Sequence, residues 1–443
     1  MSNIHSFSLE KSSAVFLIIS ALLSGCGGGD TKIVERDPIP IEDGHNHEPS
    51  ASSGRLLISD MSLAQVKTID ITKKAVLGQF AVSAIPSAIY ASPNNRYAYI
   101  IQRTSDRVDV IDGGLWQEDH GDHKHDYDKT PAFVNFNTNF ARPTHFTETE
   151  TQSVIFFDGN VDTGTPASVG VYTESDLEKN TLGNRLEFTT HMHGAAQARG
   201  NYLLATLRDP ATTNTLPTQV GLYQAYKGFY EQEQVFSESC PGLHGSAQNK
   251  NAVVFGCTDG VLVIDENNKT FSAKKIVNPA SFAVNQRIGT ALGHENVTEF
   301  VGIAGSQFLA INTSTDNIKP ISWVATGATP VPTALAYGFA DEGEFFVILD
   351  SQGWLNILDS STWAVKNRVQ VITSNLAELA SGTRFELALT PNHFAYVTDP
   401  ISKQVKKINL DKATVEDTIP LNFTPGKVAW LGIASPSTDH HNH

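Results

Sequence analysis

Ala252-Val253-Val254-Phe255, a turn at Asp259-Gly260, then Val261-Leu262-Val263-Ile264-Asp265: this stretch decides the fold. Both apolar runs are short and rich in β-branched and aromatic residues, and a tight turn separates them, so they form a hairpin rather than a helix. The pattern returns along the chain. Arg96-Tyr97-Ala98-Tyr99-Ile100-Ile101 precedes Val108-Asp109-Val110-Ile111-Asp112, Phe345-Phe346-Val347-Ile348-Leu349 precedes Trp354-Leu355-Asn356-Ile357-Leu358-Asp359, and Phe394-Ala395-Tyr396-Val397 precedes Val405-Lys406-Lys407-Ile408-Asn409-Leu410. Units near 56–77, 154–172, 202–236 and 300–323 bring the count to eight. A spacing of roughly 40–50 residues matches four-stranded propeller blades. The expected fold is therefore all-β, a β-propeller of eight four-stranded blades over residues 55–433, with seven blades as the alternative. Before the hairpins stand short segments expected as innermost strands, among them Pro143-Thr144-His145-Phe146, Met192-His193-Gly194-Ala195 and Leu243-His244-Gly245-Ser246. Gly426-Lys427-Val428-Ala429-Trp430-Leu431 has no hairpin after it, and is expected to supply the inner strand of the first blade and close the ring. No segment shows a sustained helical period.

Composition narrows the partners. The 443 residues carry 32 Lys+Arg against 47 Asp+Glu, a formal net charge of −15. Such a polyanion is a poor match for nucleic acid or anionic lipid, which require clustered basic residues. Hydrophobic residues make up 40% of the chain, enough for a sizeable core. Three Cys exclude a disulfide-dense scaffold and a cysteine-rich zinc ribbon, whereas 15 His are many for this length.

The N-terminus has the features of an address label. Lys11 precedes an apolar run from Ala14 to Leu23, too short for a membrane span of about 20 residues and suited to a signal-peptide core. It ends in Leu23-Ser24-Gly25-Cys26, similar to a bacterial lipobox, with residues 1–25 as lipoprotein signal peptide and Cys26 as the acylated residue. Residues 26–54, rich in Gly, Pro and acidic residues, are expected to be a flexible tether. The mature protein would sit in the bacterial periplasm, held to the outer rather than the inner membrane by lipid. With Cys26 acylated, Cys240 and Cys257 remain as an even pair in an oxidising space, where a disulfide is expected. Two buried thiols or thiolate ligands stay open as alternatives.

Three features carry chemistry. The first is Trp116-Gln117-Glu118-Asp119-His120-Gly121-Asp122-His123-Lys124-His125-Asp126-Tyr127-Asp128, within a loop over 116–130 that interrupts the repeat. Long loops in compact domains are usually functional or disordered, and its imidazoles and carboxylates are ligands that Zn²⁺ accepts. A solvated acidic loop is the plainer alternative. The second is positional. His145, His193 and His244 fall at the same place in three consecutive blades, so they are expected to form an arc on the channel wall, with His191 two residues from His193 on the same strand face. Singly, each would be an ordinary hydrogen-bonded histidine; in register they suggest a site. The third is a pair of His-bearing tails, His45 and His47, and His440, His441 and His443 within the tail 434–443.

Other chemistry leaves no trace: there is no phosphate loop after a strand, no Gly-x-Ser-x-Gly elbow and no Cys-x-x-Cys-His haem site. The insertion Asp119–Asp126, together with His191-Met192-His193-Gly194 and Cys240-Pro241-Gly242-Leu243-His244-Gly245, resembles the AztD-type periplasmic zinc metallochaperones. The resemblance covers roughly residues 55–433, and the acidic His-rich insertion is its most specific element. It implies a monomeric, non-enzymatic protein that captures Zn²⁺ and passes it to the solute-binding protein of a zinc ABC importer. His120, His123, His125 and Asp126 would capture zinc on a mobile loop, and His145, His193 and His244 would match histidines of the propeller face. The lipobox departs from that pattern and puts the recipient in doubt. A further expectation is that the loop closes over the rigid histidines, so that one ion takes ligands from both. Two other functions remain in view at this point: a zinc-dependent hydrolase of lactonase type, and a scaffold whose face docks another protein.

Overall fold

The apolar runs are buried from end to end rather than at alternate positions; Tyr97–Gln102, Phe345–Asp350 and Phe394–Asp399 are buried at every residue. Strands with that pattern are covered on both faces. In the structure, a computed structural model describing residues 32–35, 54–119, 124–284 and 286–434 (the backbone alone for 32–35, 119, 124 and 125), each such strand lies inside a four-stranded antiparallel sheet. Eight sheets of this kind follow one another. Blade 1 comprises Pro425–Gly432, Gly54–Asp60, Gln65–Asp70 and Ala75–Ala81, from the axis outward. Blade 2 comprises Ala88–Ala91, Tyr97–Gln102, Arg107–Asp112 and Ala132–Thr138. Blade 3 runs from Pro143–Glu148 to Asn184–Glu187, blade 4 from Ala196–Arg199 to Phe229–Val235, and blade 5 from Ser246–Gln248 to Thr270–Val277. Blades 6, 7 and 8 occupy 290–320, 334–370 and 387–420. A parallel pair, Arg185 with Phe229, joins the outermost strands of blades 3 and 4.

The core is divided in the same way. Each apolar cluster fills the gap between two neighbouring blades: Tyr99, Val110 and Ile155 between blades 2 and 3, Phe156, Leu203 and Tyr223 between 3 and 4, Leu204, Phe255 and Leu262 between 4 and 5. The last gap is sealed by Leu56, Tyr396, Val405 and Trp430, between blades 8 and 1. Eight gaps in a closed circle establish eight blades. The C-terminal strand closes the ring as expected, pairing Gly54 with Gly432 through Asp60 with Pro425. Closure leaves the inner edge of blade 1 hydrogen-bonded to a strand more than 360 residues away in sequence.

Two details go beyond the expectations. One short helix exists, Glu174–Lys179, started by a capping box of Thr173 and Asp176. The segment 26–54 is not tether throughout: Lys32–Glu35 is a strand, paired antiparallel with Lys124–Asp128 (Lys32 opposite Asp128, Glu35 opposite His125). Lys124–Asp128 in turn pairs with Leu115–Asp119, so the insertion supplies two strands of a three-stranded sheet outside the ring. Its base is clamped by buried Arg55, whose Nη2 meets Asp128 Oδ1 at 2.5 Å while Nη1 donates to the Lys129 carbonyl at 2.6 Å and to that of Gly113. Trp116 stacks on Tyr127 with 4.7 Å between ring centroids, and the Arg96 guanidinium lies over Trp116. The signal segment, Cys26, His45, His47 and the residues beyond 434 lie outside the described residues.

Candidate metal centre

The three histidines expected in register do converge. His145 is the third residue of the innermost strand Pro143–Glu148, whereas His193 and His244 stand just before Ala196–Arg199 and Ser246–Gln248. A glycine follows each of the latter two. A Cβ at Gly194 would lie 2.5 Å from the Phe156 ring, and at Gly245, where φ is +74°, it would lie 2.8 Å from the Gly289 carbonyl. Only glycine allows the backbone to press against the neighbouring blade there and so aim the preceding imidazole inward.

His193 Nε2 is 3.2 Å from His145 Nε2 and 3.0 Å from His244 Nε2. The other nitrogens of two rings are committed. His193 Nδ1 is 2.9 Å from Asp158 Oδ2, and His244 Nδ1 is 2.6 Å from the Gly289 carbonyl oxygen. A carboxylate and a carbonyl only accept, so both Nδ1 atoms carry a proton, and in the neutral form of each ring an Nε2 lone pair points at the other. Lone pairs facing each other at that distance repel unless a cation lies between them. Two nitrogens of a tetrahedral zinc, each about 2.05 Å from the ion, are separated by about 3.3 Å. The observed separations nearly match that edge. Three protein nitrogens leave the fourth position open.

The surroundings weaken the charge the site offers. Asp158, buried, is shared with Arg103, whose Nη2 lies 3.0 Å from the same Oδ2; Arg103 Nη1 donates to the Arg142 carbonyl and to Thr144. Burial pushes the His145 imidazole down to about 4, and the neighbouring His193 and His244 push the same way. Burial also lowers His244, with the Gly289 carbonyl opposing and His193 and Arg287 adding to the lowering. Depressed values mean rings already neutral near pH 7, with no proton to displace on ligation. Proton competition at His145 and His244 should accordingly set in only below the ordinary imidazole range near 6.5, so that zinc affinity falls slowly as pH drops. Competition titrations at about pH 7.5 and about pH 5.5 test this: a hundred-fold loss across that interval would contradict it.

Sequence reasoning missed Asp158. The repeat did hold a signal, since Asp60, Asp158, Asp350 and Asp399 all close second strands of their blades. Asp60, Asp350 and Asp399 accept from backbone N–H groups of the turn that follows, at Ser62, Gln352 and Ile401. Asp158 turns to His193 instead.

Other expected residues fall elsewhere. His191 is not in a strand and its ring is outside the convergent group; its carbonyl accepts from Arg208 at 2.8 Å. His294, outside the expected set, follows the inner strand of blade 6 and lines the opposite mouth. His120 and His123 lie outside the described residues, and His125 is described by its backbone alone. Asp126 is buried with Oδ1 held by Gln117 Nε2 at 2.8 Å. Cys240 and Cys257 are disulfide-bonded, 5.0 Å apart at Cα.

Strand direction separates the insertion from the triad. Innermost and third strands of a blade run the same way, so the insertion, leaving after Asp112, rises where inner strands end. The triad lies where they begin. At the insertion mouth, Trp116 and Gln117 line a central cavity of about 1530 Å³ with Glu148, Arg199, Gln248 and His294. The expectation that loop and triad clasp one ion is not supported by this placement: the hairpin stem is on the far face.

A second convergence was not anticipated. His393 Nδ1 lies 2.7 Å from Asp341 Oδ2 and 3.1 Å from Asp411 Oδ2. In the absence of metal these carboxylates hold the imidazolium, Asp341 first and Asp411 second, and raise it to about 10. A folded-state value above the unfolded one stabilises fully below about 6.5 and is lost as pH climbs toward the raised value. Metal-free protein should therefore lose stability between those limits, and His393→Gln should flatten that slope in denaturant titrations; an unchanged slope would discount the pairing.

The comparisons agree with the geometry. No protein-family model matches the chain. The zinc chaperone AztD of Citrobacter koseri is 24% identical over 411 residues, covering 89% of this chain and 91% of the relative. The crystal structure of that organism's AztD superposes with a TM-score of 0.73 at 21% identity, covering 86% of this chain and 98% of the other, and its apo form with 0.72 at 20%, covering 87% and 100%. The chain resembles zinc chaperones of the AztD type. Beyond AztD, the fold is shared with the dihydro-heme d1 dehydrogenase NirN, with a TM-score of 0.53 at 10% identity, covering 91% of this chain and 80% of that one. No described helix is long and apolar enough to cross a membrane.

Proposed function

We propose that this protein is a zinc carrier: it binds Zn²⁺ at His145, His193 and His244 and hands it to the solute-binding protein of a zinc ABC importer. One observation carries this, the two oriented lone pairs of His193 and His244 converging at 3.0 Å with His145 beside them. A relative from Citrobacter koseri is named as a zinc chaperone, AztD, which lends support to zinc carriage. Three neutral nitrogens, with Arg103 and Arg287 near and Asp158 shared, bind a dication without fully compensating its charge. Such a site holds zinc and still releases it. The open fourth position admits a ligand from the acceptor, which then replaces the histidines in turn without the ion entering water. A hydrolase would need room for substrate beside that position, and the large cavity lies at the other mouth.

Capture falls to the insertion. Its carboxylates attract a dication by field before coordination, His120, His123, His125 and Asp126 are the ligands proposed to take it up, and an ion bound there is proposed to be separate from one at the triad. Location follows from the same reading: the bacterial periplasm, lipid-tethered through Cys26 and more in keeping with the outer membrane, where a disulfide between Cys240 and Cys257 persists. Zinc-loaded protein mixed with apo acceptor under a competing chelator should deliver zinc faster than the chelator intercepts it. Delivery no better than from free zinc would defeat the proposal. Deleting Asp119–Asp128 should slow loading while leaving triad affinity within about threefold, because the stem lies outside the ring. A hundred-fold loss in that deletion would instead place loop ligands on the triad ion.

A further inference from the structure

We propose a second divalent-cation site at Asp341, His393 and Asp411, on the face opposite the triad. It rests on its own geometry and not on the carrier role. Asp341 opens the turn after the inner strand of blade 7; His393 and Asp411 close turns in blade 8 on the same face. The blade 7–8 core beneath, with Phe345, Val347, Ala395 and Ile408, fixes both turns. The three ligand atoms lie within 4.8 Å of one another.

Two features separate this cluster from an ordinary ion pair. Asp341 is only 6% exposed, and its Oδ2 is buried without a hydrogen bond among the described residues. His393 Nδ1 is close to that oxygen at 2.7 Å and yet is also without an aligned hydrogen bond. The Asp341 carboxylate is already anchored from behind, since Oδ1 accepts the His393 backbone N–H at 3.2 Å. Two acceptor oxygens and one ring nitrogen therefore face a common point out of line for N–H donation. A single N–H cannot point along both contacts, whereas a cation at that point meets all three lone pairs. Separations of 2.7 and 3.1 Å bracket the edge of about 2.9 Å between cis ligands of a six-coordinate ion with bonds of about 2.05 Å, and the longer one is close to the tetrahedral edge of about 3.3 Å. One imidazole with two carboxylates suits zinc or manganese rather than calcium or magnesium, which prefer all-oxygen shells. The outer side is open, with Asp411 46% and His393 41% exposed at the side chain, so the ion would exchange with solvent.

The test is anomalous diffraction from crystals of the full chain equilibrated with zinc buffered at micromolar free concentration, measured on both sides of the zinc edge. A peak bonded to His393 Nδ1 and to Asp341 and Asp411 is expected, and Asp411→Asn, an exposed change that leaves the buried carboxylate in place, should cut its occupancy at least several-fold. Absence of the peak while the triad is occupied would overturn the second site and leave a salt-linked latch between blades 7 and 8. Absence of a triad peak would instead count against the carrier role, whatever is seen at His393.

Discussion

Replacing His193 by alanine should weaken the tightest class of zinc site by about two orders of magnitude. His193 is the hub of the triad, 3.2 and 3.0 Å from its two partners, and the ring whose proton Asp158 assigns. Zinc sites with four protein ligands bind with about 10–16 kcal/mol, roughly 3 kcal/mol per ligand, which is about a hundred-fold in affinity. Asp158→Asn should cost about 10–100-fold, the range for losing a partner that orients a metal-bound histidine. The amide lacks the charge that pairs with Arg103 and holds the His193 proton on Nδ1. Zinc titration against a chelator of known affinity measures both. Unaltered tight binding in His193→Ala, with the protein folded, would dismiss the triad.

Removing the disulfide, by changing Cys240 and Cys257 together to alanine, should destabilise the propeller by about 3 kcal/mol from loop closure alone. The two cysteines are 17 residues apart in sequence and both are 0% exposed. The bond sits at the blade 4–5 interface beside Leu204, Leu243 and Phe255, and the segment Cys240–His244 has no strand of its own to hold it. Its backbone is tied to Thr218 and Pro217 of blade 4 and to Gly256 of blade 5. Loss of the bond should therefore loosen His244 as well, lowering both the unfolding midpoint and zinc affinity. Equilibrium unfolding under oxidising and reducing conditions decides it; coincident curves would mean the bond contributes nothing.

Much of this molecule was legible one repeat at a time. Hairpins such as Ala252–Gly256 with Gly260–Asn267 announce themselves because β-branched and aromatic runs flank a turn within a dozen residues. The alignment of His145, His193 and His244 was legible for the same reason, since equivalent positions in consecutive blades must neighbour one another around an axis. Less visible were Asp158 and the cluster at His393. Each depends on which way a side chain leaves its turn, and Asp158 shares its place in the repeat with three aspartates that cap turns instead.

By itself the sequence determined that the chain is all-β, a ring of repeated hairpin units closed by the strand 426–431, and that three histidines share one register; that the blades number eight rather than seven was left to the structure. Period, turn residues and burial on both faces are local properties, and they survive translation into three dimensions unaltered. Only the tertiary structure decided that the stem of the acidic insertion and the triad occupy opposite faces. That outcome depends on counting strand reversals from Asp112 to the axis, and one reversal more or fewer would have put them together. The tautomers of His193 and His244 were decided there too, because Asp158 and Gly289 lie 35 and 45 residues from the rings they orient. Proton placement in a site is set by what the fold brings within 3 Å, and no spacing in the chain encodes that contact.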